Sequence, residues 1–408
     1  MSGTVMSEKQ SELCDLGKNY LYPNYRQAQI VITRGEGALL WDADGKRYLD
    51  MVAGIAVSAL GHAHPRLVRA IAEQAARVLH VSNYYYNEPN VRAAAKLCAL
   101  TGMDRAFFCN SGTEAIEACL KLARRHFHAR GETERNVVIA YQNSFHGRTL
   151  GALAATGQDK YREGFGPLPG VVHVPFGDLD ATRRAMNGNV AAVVVEPVQG
   201  EGGVLAAPPE FLPGLKSLCE VTGSLFIADE IQTGLGRTGT FLACDAEGVK
   251  PDVVALAKGL GGGVPIGAML CRAGLAEALP PGAHGSTFGG NPLASAAALA
   301  VLETMESEQL PERAAELGRE LSVELANLAK RRPAHVEAVR GKGLLQAVLL
   351  REHLDVRTVL ADLQKRGVLL SVAGGRALRF SPPLVVSGSE LREAVAVLDA
   401  TLADLPAA

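Results

Sequence analysis

The 408-residue chain lacks any apolar run long enough to span a bilayer, which excludes a membrane-embedded reading. It also lacks a basic run long enough to track a nucleic-acid backbone. Charge of either sign is scarce in excess: 41 Lys and Arg against 43 Asp and Glu leave a formal net charge of −2, too near neutrality for a polyanion binder. Its seven cysteines, Cys14, Cys98, Cys109, Cys119, Cys219, Cys244 and Cys271, are scattered, odd in number and free of Cys-x-x-Cys pairs. That pattern argues against a disulfide or zinc framework and for a reducing cytoplasm. The start of the chain, with Glu8, Lys9 and Glu12, lacks the apolar core of a signal peptide. There is no internal repeat or low-complexity linker. The glycines at 261 to 263 do not have dinucleotide-fingerprint spacing. His62-x-His64 is expected to set two imidazoles on one strand face, but with no third ligand in view no metal is expected.

What is present is 48% hydrophobic content in a chain longer than a single core supports, so a major and a minor domain are expected. Apolar runs alternate with helical stretches between residues 65 and 300, the pattern of a mostly parallel sheet covered by helices in an α/β fold. The strand candidates are 106–109, 137–140, 171–174, 191–195, 225–228, 253–257 and 268–271. Ahead of them lies an arm with a short hairpin over 37–50, marked by Asp44-Gly45. Behind them a helix-rich segment from about 295 leads into an α+β segment. The expected division is 1–64, 65–300 and 301–408.

Two of the apolar runs end on a single charged group, Asp229 and Lys258. In an open parallel sheet the carboxyl ends of the strands face the ligand, so both charges are expected at one site. Either residue alone also reads as a turn cap or a solvated loop charge. A lysine free to form an imine and a carboxylate able to keep a pyridinium nitrogen protonated are the two groups pyridoxal phosphate chemistry asks of a protein. A third element is Phe108-Cys-Asn-Ser111-Gly112-Thr113-Glu114, a strand, a loop and a helix start, with Ser-x-x-Glu as a capping box. The free N–H groups and positive dipole end there suit a phosphate, and Gly112 permits close approach.

With these residues in view, the chain resembles the class III aminotransferases of pyridoxal phosphate fold type I, and among them the acetylornithine and ornithine group. The resemblance spans nearly the whole chain. It is carried by the segment from Ala53 to Pro65, Asn110-Ser-Gly-Thr-Glu-Ala, Ser144-Phe-His-Gly-Arg148-Thr, Glu196-Pro-Val-Gln-Gly-Glu201-Gly-Gly, Asp229-Glu-Ile-Gln-Thr-Gly, the lysine segment, His284-Gly-Ser-Thr287 and Leu378-Arg379-Phe-Ser-Pro-Pro. Thr113 departs from the alanine the family often carries, adding a hydroxyl beside the expected phosphate.

The resemblance implies pyridoxal 5'-phosphate as cofactor, with Lys258 and Asp229 as catalytic residues. Ser111, Gly112, Thr113, Phe145, Glu196, Gln232 and Thr287 are expected around the cofactor, Phe145 against the ring and Gln232 near the ring hydroxyl. Arg148, Glu201, Ser286, Arg379 and Tyr25 are expected to meet substrate, with Arg148 holding the carboxylate distant from the reacting carbon. Ser286 and Thr287 fall in a loop that reaches the neighbouring subunit's site in the family, which implies a homodimer with shared active sites. Read without the family, Tyr25 is an exposed aromatic of the arm, and Ser286 and Thr287 are solvated loop residues.

The implied reaction moves the terminal amino group of N2-acetyl-L-ornithine to 2-oxoglutarate, giving N-acetyl-L-glutamate 5-semialdehyde and L-glutamate, in arginine biosynthesis. Amino acids and 2-oxo acids are the expected partners. Ornithine, succinylornithine, acetyl-lysine and 4-aminobutyrate remain alternative donors. A regulatory protein that keeps the fold without turnover is the rival of another class, and a binding module has no need of an imine-forming lysine.

Overall fold

Seven short apolar runs assemble into one sheet, in the order Arg105–Cys109, Gly267–Cys271, Val253–Leu256, Leu225–Asp229, Val190–Val195, Val137–Tyr141, Val171–Val174. All pairs are parallel except those made by Gly267–Cys271, which runs against both of its neighbours. These are the seven expected strands, with no end shifted by more than one residue. The computed structural model describes residues 7–168 and 170–407, so the first six residues of the expected arm lie outside the described residues.

The runs are continuous rather than alternating because both sheet faces are covered. In Val190–Val195 every residue is buried. Val193 and Val195 enter one hydrophobic core while Ala192 and Val194 enter the other. The neighbouring strand divides in the same way, Phe226 and Ala228 to the first face and Ile227 to the second. Each such aliphatic side chain contributes roughly 1.5–3 kcal/mol by leaving water. A charge at Val194 would have no partner there and would break the sheet at its centre.

Three strands before the sheet, Ile32–Glu36, Leu39–Asp42 and Arg47–Asp50, form the expected hairpin and one strand more. Arg47–Asp50 also pairs in parallel with Val368–Leu369, tying the early part of the chain to its late part. The arm further holds a helix the sequence reading did not foresee, Glu8–Tyr20, capped by the Ser7 hydroxyl. After the sheet come helices Pro292–Ser307 and Leu310–Arg331, and then a four-stranded antiparallel sheet in the order Val336–Lys342, Leu345–Leu350, Ala377–Phe380, Ser371–Ala373. The expected His62-x-His64 strand does not form. His62 makes an isolated bridge to Gly37 and its Nε2 lies 2.7 Å from Asp50, while His64 is the residue before helix Pro65–Ala75. That helix starts there because Pro65 fits a first turn and has no N–H to lose. No helix among the described residues is long and apolar enough to cross a membrane.

Candidate active site

Five parallel strands release their chains at the same edge of the large sheet, and each delivers a site residue. Ser111 follows Arg105–Cys109, Phe145 follows Val137–Tyr141, Glu196 follows Val190–Val195, Asp229 ends Leu225–Asp229 and Lys258 follows Val253–Leu256. Asp229 is in register with Ala255, three residues before Lys258. Together they line a cavity of about 400 Å³ that also touches Val57, Asn110, Gly112, Thr113, His146, Arg148, Glu201, Ile231 and Gln232.

At one wall the 18-residue helix Gly112–Ala129 opens toward the cavity. Its Ser111 cap accepts from the Glu114 N–H at 3.4 Å. The reciprocal half of the expected capping box is missing. Glu114 instead accepts from the Asn110 N–H at 2.6 Å and from Asn110 Nδ2 at 3.2 Å, so the carboxylate braces the loop one residue earlier. Among the described residues the N–H groups of Gly112 and Thr113 have no acceptor. Free N–H groups at the positive end of a long helix suit a phosphate dianion. A Cβ at Gly112 would come 3.0 Å from the Ile231 side chain that also lines the cavity.

Asp229 is 3% exposed, and its orientation is fixed from two sides. Oδ1 accepts from the Ile231 N–H at 3.1 Å, and Oδ2 lies 2.7 Å from His146 Nδ1. With a carboxylate as its partner, Nδ1 carries the proton. His146 is itself fixed by its own N–H, which donates to Thr156 Oγ1 at 2.9 Å. Glu196 is buried, and its Oε2 accepts from the Phe145 N–H at 3.1 Å. Burial, reinforced by the Asp229 charge, pushes the Glu196 carboxyl well above the usual range.

Lys258 sits in left-handed backbone, φ 43°, at the start of a 3-10 turn. Its Nζ makes no hydrogen bond or ion pair among the described residues. Burial lowers the Lys258 pKa; Arg379 adds to that, while Glu201, Asp229 and Glu196 oppose it. A lysine held away from water in this way gives up its proton more readily and so becomes a nucleophile.

Arg379, on strand Ala377–Phe380, is 1% exposed. Its Nη1 donates to Glu201 Oε1 at 2.5 Å, to the Gly200 carbonyl at 3.1 Å and to Gln232 Oε1 at 3.3 Å. Gln232 Nε2 reaches Glu201 at 3.5 Å, so both ends of this amide serve the ion pair. Burial works against ionisation of Glu201, yet the Arg379 and Lys258 charges and the Arg379 and Gln232 hydrogen bonds hold its carboxyl below the usual value. At the mouth, the exposed Arg148 guanidinium lies 5.4 Å from the Phe145 ring centre and 4.0 Å from that of Tyr161, with no carboxylate paired to it among the described residues.

Four of the expected residues are not in the cavity wall: Arg379 meets it only through Glu201 and Gln232, which do line it, and three others stand elsewhere. Ser286 stands just behind it, its Oγ accepting from Asn110 Nδ2 at 3.2 Å. Thr287 is exposed and makes no side-chain hydrogen bond among the described residues. Tyr25 is 77% exposed and borders a different hollow, against the helix Glu8–Tyr20.

The model of aminotransferase class-III matches residues 20–402 of this sequence. The chain belongs to the class-III aminotransferases. It is 49% identical over 381 residues to the acetylornithine aminotransferase of Myxococcus xanthus, covering 93% of this chain and 94% of that one. With the acetylornithine aminotransferase of Gloeobacter violaceus the identity is 46% over 391 residues, 95% of this chain and 97% of the other. Among solved structures, the ornithine aminotransferase of Toxoplasma gondii superimposes with a TM-score of 0.94 at 36% identity, over 98% of this chain and 96% of that one. Acetylornithine aminotransferase from Elizabethkingia anophelis gives 0.88 at 34%, over 97% and 99%.

The class-III aminotransferase fold is thus the fold type I expected from the sequence. Pyridoxal 5'-phosphate fits the residues present. The acceptor-free N–H groups of Gly112 and Thr113 suit its phosphate, Asp229 its ring nitrogen, Phe145 a ring face and the unpartnered Lys258 amine its carbonyl carbon. Sequence reasoning missed His146, Val57, Asn110, Tyr161 and Ile231. His146 was in view within Ser144-Phe-His-Gly, but nothing local shows that its partner is Asp229, 83 residues away. Val57 reaches the cavity through a turn whose Ala53, Gly54, Ile55 and Ala56 all have positive φ, a conformation that only Gly54 among them favours.

Proposed function

We propose that this class-III aminotransferase takes the terminal amino group of N2-acetyl-L-ornithine to 2-oxoglutarate, giving N-acetyl-L-glutamate 5-semialdehyde and L-glutamate, as a cytoplasmic step of arginine biosynthesis. The observation that carries the reading is a pair of arginines: Arg148 on the cavity wall without a carboxylate partner, and Arg379 already matched by the wall residue Glu201. The donor has one carboxylate, far from its reacting amine, and a methylene beside it. Arg148 takes the carboxylate through a bidentate pair, and Glu201 cancels the charge that Arg379 would otherwise turn on the methylene. Glutamate and 2-oxoglutarate carry a second carboxylate beside the reacting carbon. It takes Arg379 in place of Glu201, while Arg148 keeps the distal one.

Bound pyridoxal phosphate supplies the electron sink that lets an amine-bearing carbon lose its proton. Asp229, oriented by His146, would hold the ring nitrogen in its protonated form. The Lys258 amine, made less basic by burial, takes the proton from the substrate carbon that bears the amine. Phe145 keeps water off one face and Glu196 fixes the Phe145 backbone.

The acyl group is favoured by the mouth. The acidic residues lining the cavity, Glu196, Glu201 and Asp229, are each engaged by a protein donor, and the aromatic faces of Phe145 and Tyr161 are next to a guanidinium. A free α-ammonium, as in ornithine, would meet Arg148 with no compensating carboxylate, whereas a neutral amide meets aromatic walls. The names of the Myxococcus and Gloeobacter relatives support the same donor, and the likeness to the Toxoplasma enzyme makes ornithine the rival.

A second copy of the chain completes the reading. Thr287 and Tyr25 are exposed and do not line this protomer's cavity, and Leu79, Tyr84, Tyr85, Tyr86 and Phe288 leave large apolar side chains exposed near the Ser286 loop, as an uncovered dimer face would. The test is a donor panel with 2-oxoglutarate and purified protein, comparing acetylornithine with ornithine, succinylornithine, acetyl-lysine and 4-aminobutyrate. Acetylornithine is expected to lead in kcat/KM, and Lys258→Ala to abolish turnover with cofactor still bound. A clear preference for ornithine overturns the acyl assignment.

A further inference from the structure

The hydroxyl of Thr113, a residue of the cavity wall, is engaged by the segment that carries Arg148. Its Oγ1 accepts from the N–H of Arg148 and from the N–H of Thr149, both at 3.2 Å, and lies 2.8 Å from Thr149 Oγ1. Thr149 Oγ1 in turn lies 2.5 Å from Glu117 Oε1, which also accepts from the N–H groups of Gly151 at 2.9 Å and Ala152 at 3.1 Å. Counting protons fixes the direction of this chain. Glu117 as a carboxylate only accepts, so Thr149 gives its hydroxyl proton to Glu117 and receives that of Thr113. The Thr113 oxygen is then left with two lone pairs, and both are used by the Arg148 and Thr149 N–H groups. It has no proton to offer a phosphate. The approach is so close that a Cβ at Gly147, whose φ is 135°, would come 2.3 Å from Thr113 Oγ1.

We propose that Thr113 is a positioning residue for Arg148: its hydroxyl, set by Thr149 and Glu117, fixes the loop that carries the distal-carboxylate receptor to the first turn of the phosphate-facing helix. The inference rests on the reading of Arg148 given above. It makes the residue that supplies one backbone N–H to the cofactor phosphate also the clamp for substrate length. It also replaces the expectation that the extra hydroxyl lies beside the phosphate. The effect belongs to KM rather than kcat, because the clamp holds the distal carboxylate in both ground state and transition state.

The experiment uses the cofactor-loaded enzyme and its Thr113→Val, Thr113→Ser, Arg148→Ala and Thr113→Val/Arg148→Ala variants. Each is assayed with acetylornithine and with 1,4-diaminobutane, which has no carboxylate, and cofactor affinity is titrated by visible absorbance. Thr113→Val keeps the shape and deletes the hydroxyl. It is expected to raise KM for acetylornithine by roughly 5- to 10-fold, the loss of one to two neutral hydrogen bonds. KM for the diamine, kcat and cofactor affinity should hold within twofold or so, Thr113→Ser should restore the acetylornithine KM, and the Val change should add nothing in the Arg148→Ala background. Equal KM rises for both donors, persistence of the effect without Arg148, or a loss confined to cofactor affinity each overturn the proposal. If Arg148→Ala discriminates between the donors and Thr113→Val does not, only the clamp fails. If Arg148→Ala itself does not discriminate, the carboxylate reading fails and the clamp with it. Should Thr113→Val not fold, Thr113→Ala gives the same comparison.

Discussion

Arg148 stands at the exposed mouth of the cavity between two aromatic faces, whereas Arg379 lies 1% exposed on a strand with its charge matched by Glu201. Arg148 lines the cavity itself while Arg379 is bonded to its wall residues Glu201 and Gln232, and the two guanidiniums are prepared in opposite ways. Arg148 is stacked but electrically free, so any ligand carboxylate of the right length finds it ready. Arg379 is satisfied before substrate arrives, by Glu201, Gln232 and the Gly200 carbonyl. A ligand carboxylate must displace one of these to reach it. Two substrates of different charge can share a site when one receptor is constant and the other is occupied by an internal stand-in.

The sharpest way to break this contrast is to remove each arginine in turn and measure single-turnover rates of both half-reactions. Arg379→Ala strands the Glu201 carboxylate and is expected to cost the 2-oxoglutarate half about 2–5 kcal/mol, with a much smaller loss in the donor half. Arg148→Ala should reduce both halves by similar factors. Equal losses from Arg379→Ala would show that it is a structural partner of Glu201 only.

A middling effect is expected at Glu201. Glu201→Gln removes the stand-in charge and should shift selectivity toward α-amino donors by about 1–2 kcal/mol. The same residue makes a statement about pH. Its carboxyl is held below its ordinary value of 4.5, so the stability that the ion pair adds is present above that value and lost as pH falls through the lowered one. Denaturant unfolding of wild type and Glu201→Gln should therefore differ by a constant amount from about pH 5 upward and converge in stronger acid. A difference that instead grows with rising pH above neutrality would contradict the assignment.

The smallest effect is that of salt. Attraction at exposed Arg148 is screened, so KM for acetylornithine should rise roughly twofold between about 0.05 and 0.2 M salt. The buried pair should leave donor selectivity unchanged over the same range. A selectivity that drifts with salt would mean Glu201 and Arg379 are open to water.

The seven sheet strands were legible because burial on both faces writes each as an unbroken apolar run. Asp229 and Lys258 were legible because each follows such a run. Contacts between distant segments were not. Glu114 at the third helical position matches a capping box, yet Asn110 competes for its carboxylate with two donors. Gln232 lines the cavity as expected, but Arg379, 147 residues on, and Glu201 engage its amide. His62 and His64 looked like strand neighbours, yet Pro65 turns the chain into a helix and separates their roles. The Thr113 hydroxyl was read as an addition to a phosphate site, since only the fold reveals that the Arg148 loop passes over it. Tyr25 and Thr287 carry no local sign of where they point.

Lys258 sits at φ 43°, in a conformation for which a side chain costs about 1 kcal/mol over glycine. At this one position chemistry has prevailed over thermal robustness. Glycine and alanine would both remove the amine, but only glycine would also relax the turn, so of two equally dead enzymes the glycine form should melt later. The residue on which turnover rests is thereby also one at which the chain would gain durability by giving turnover up.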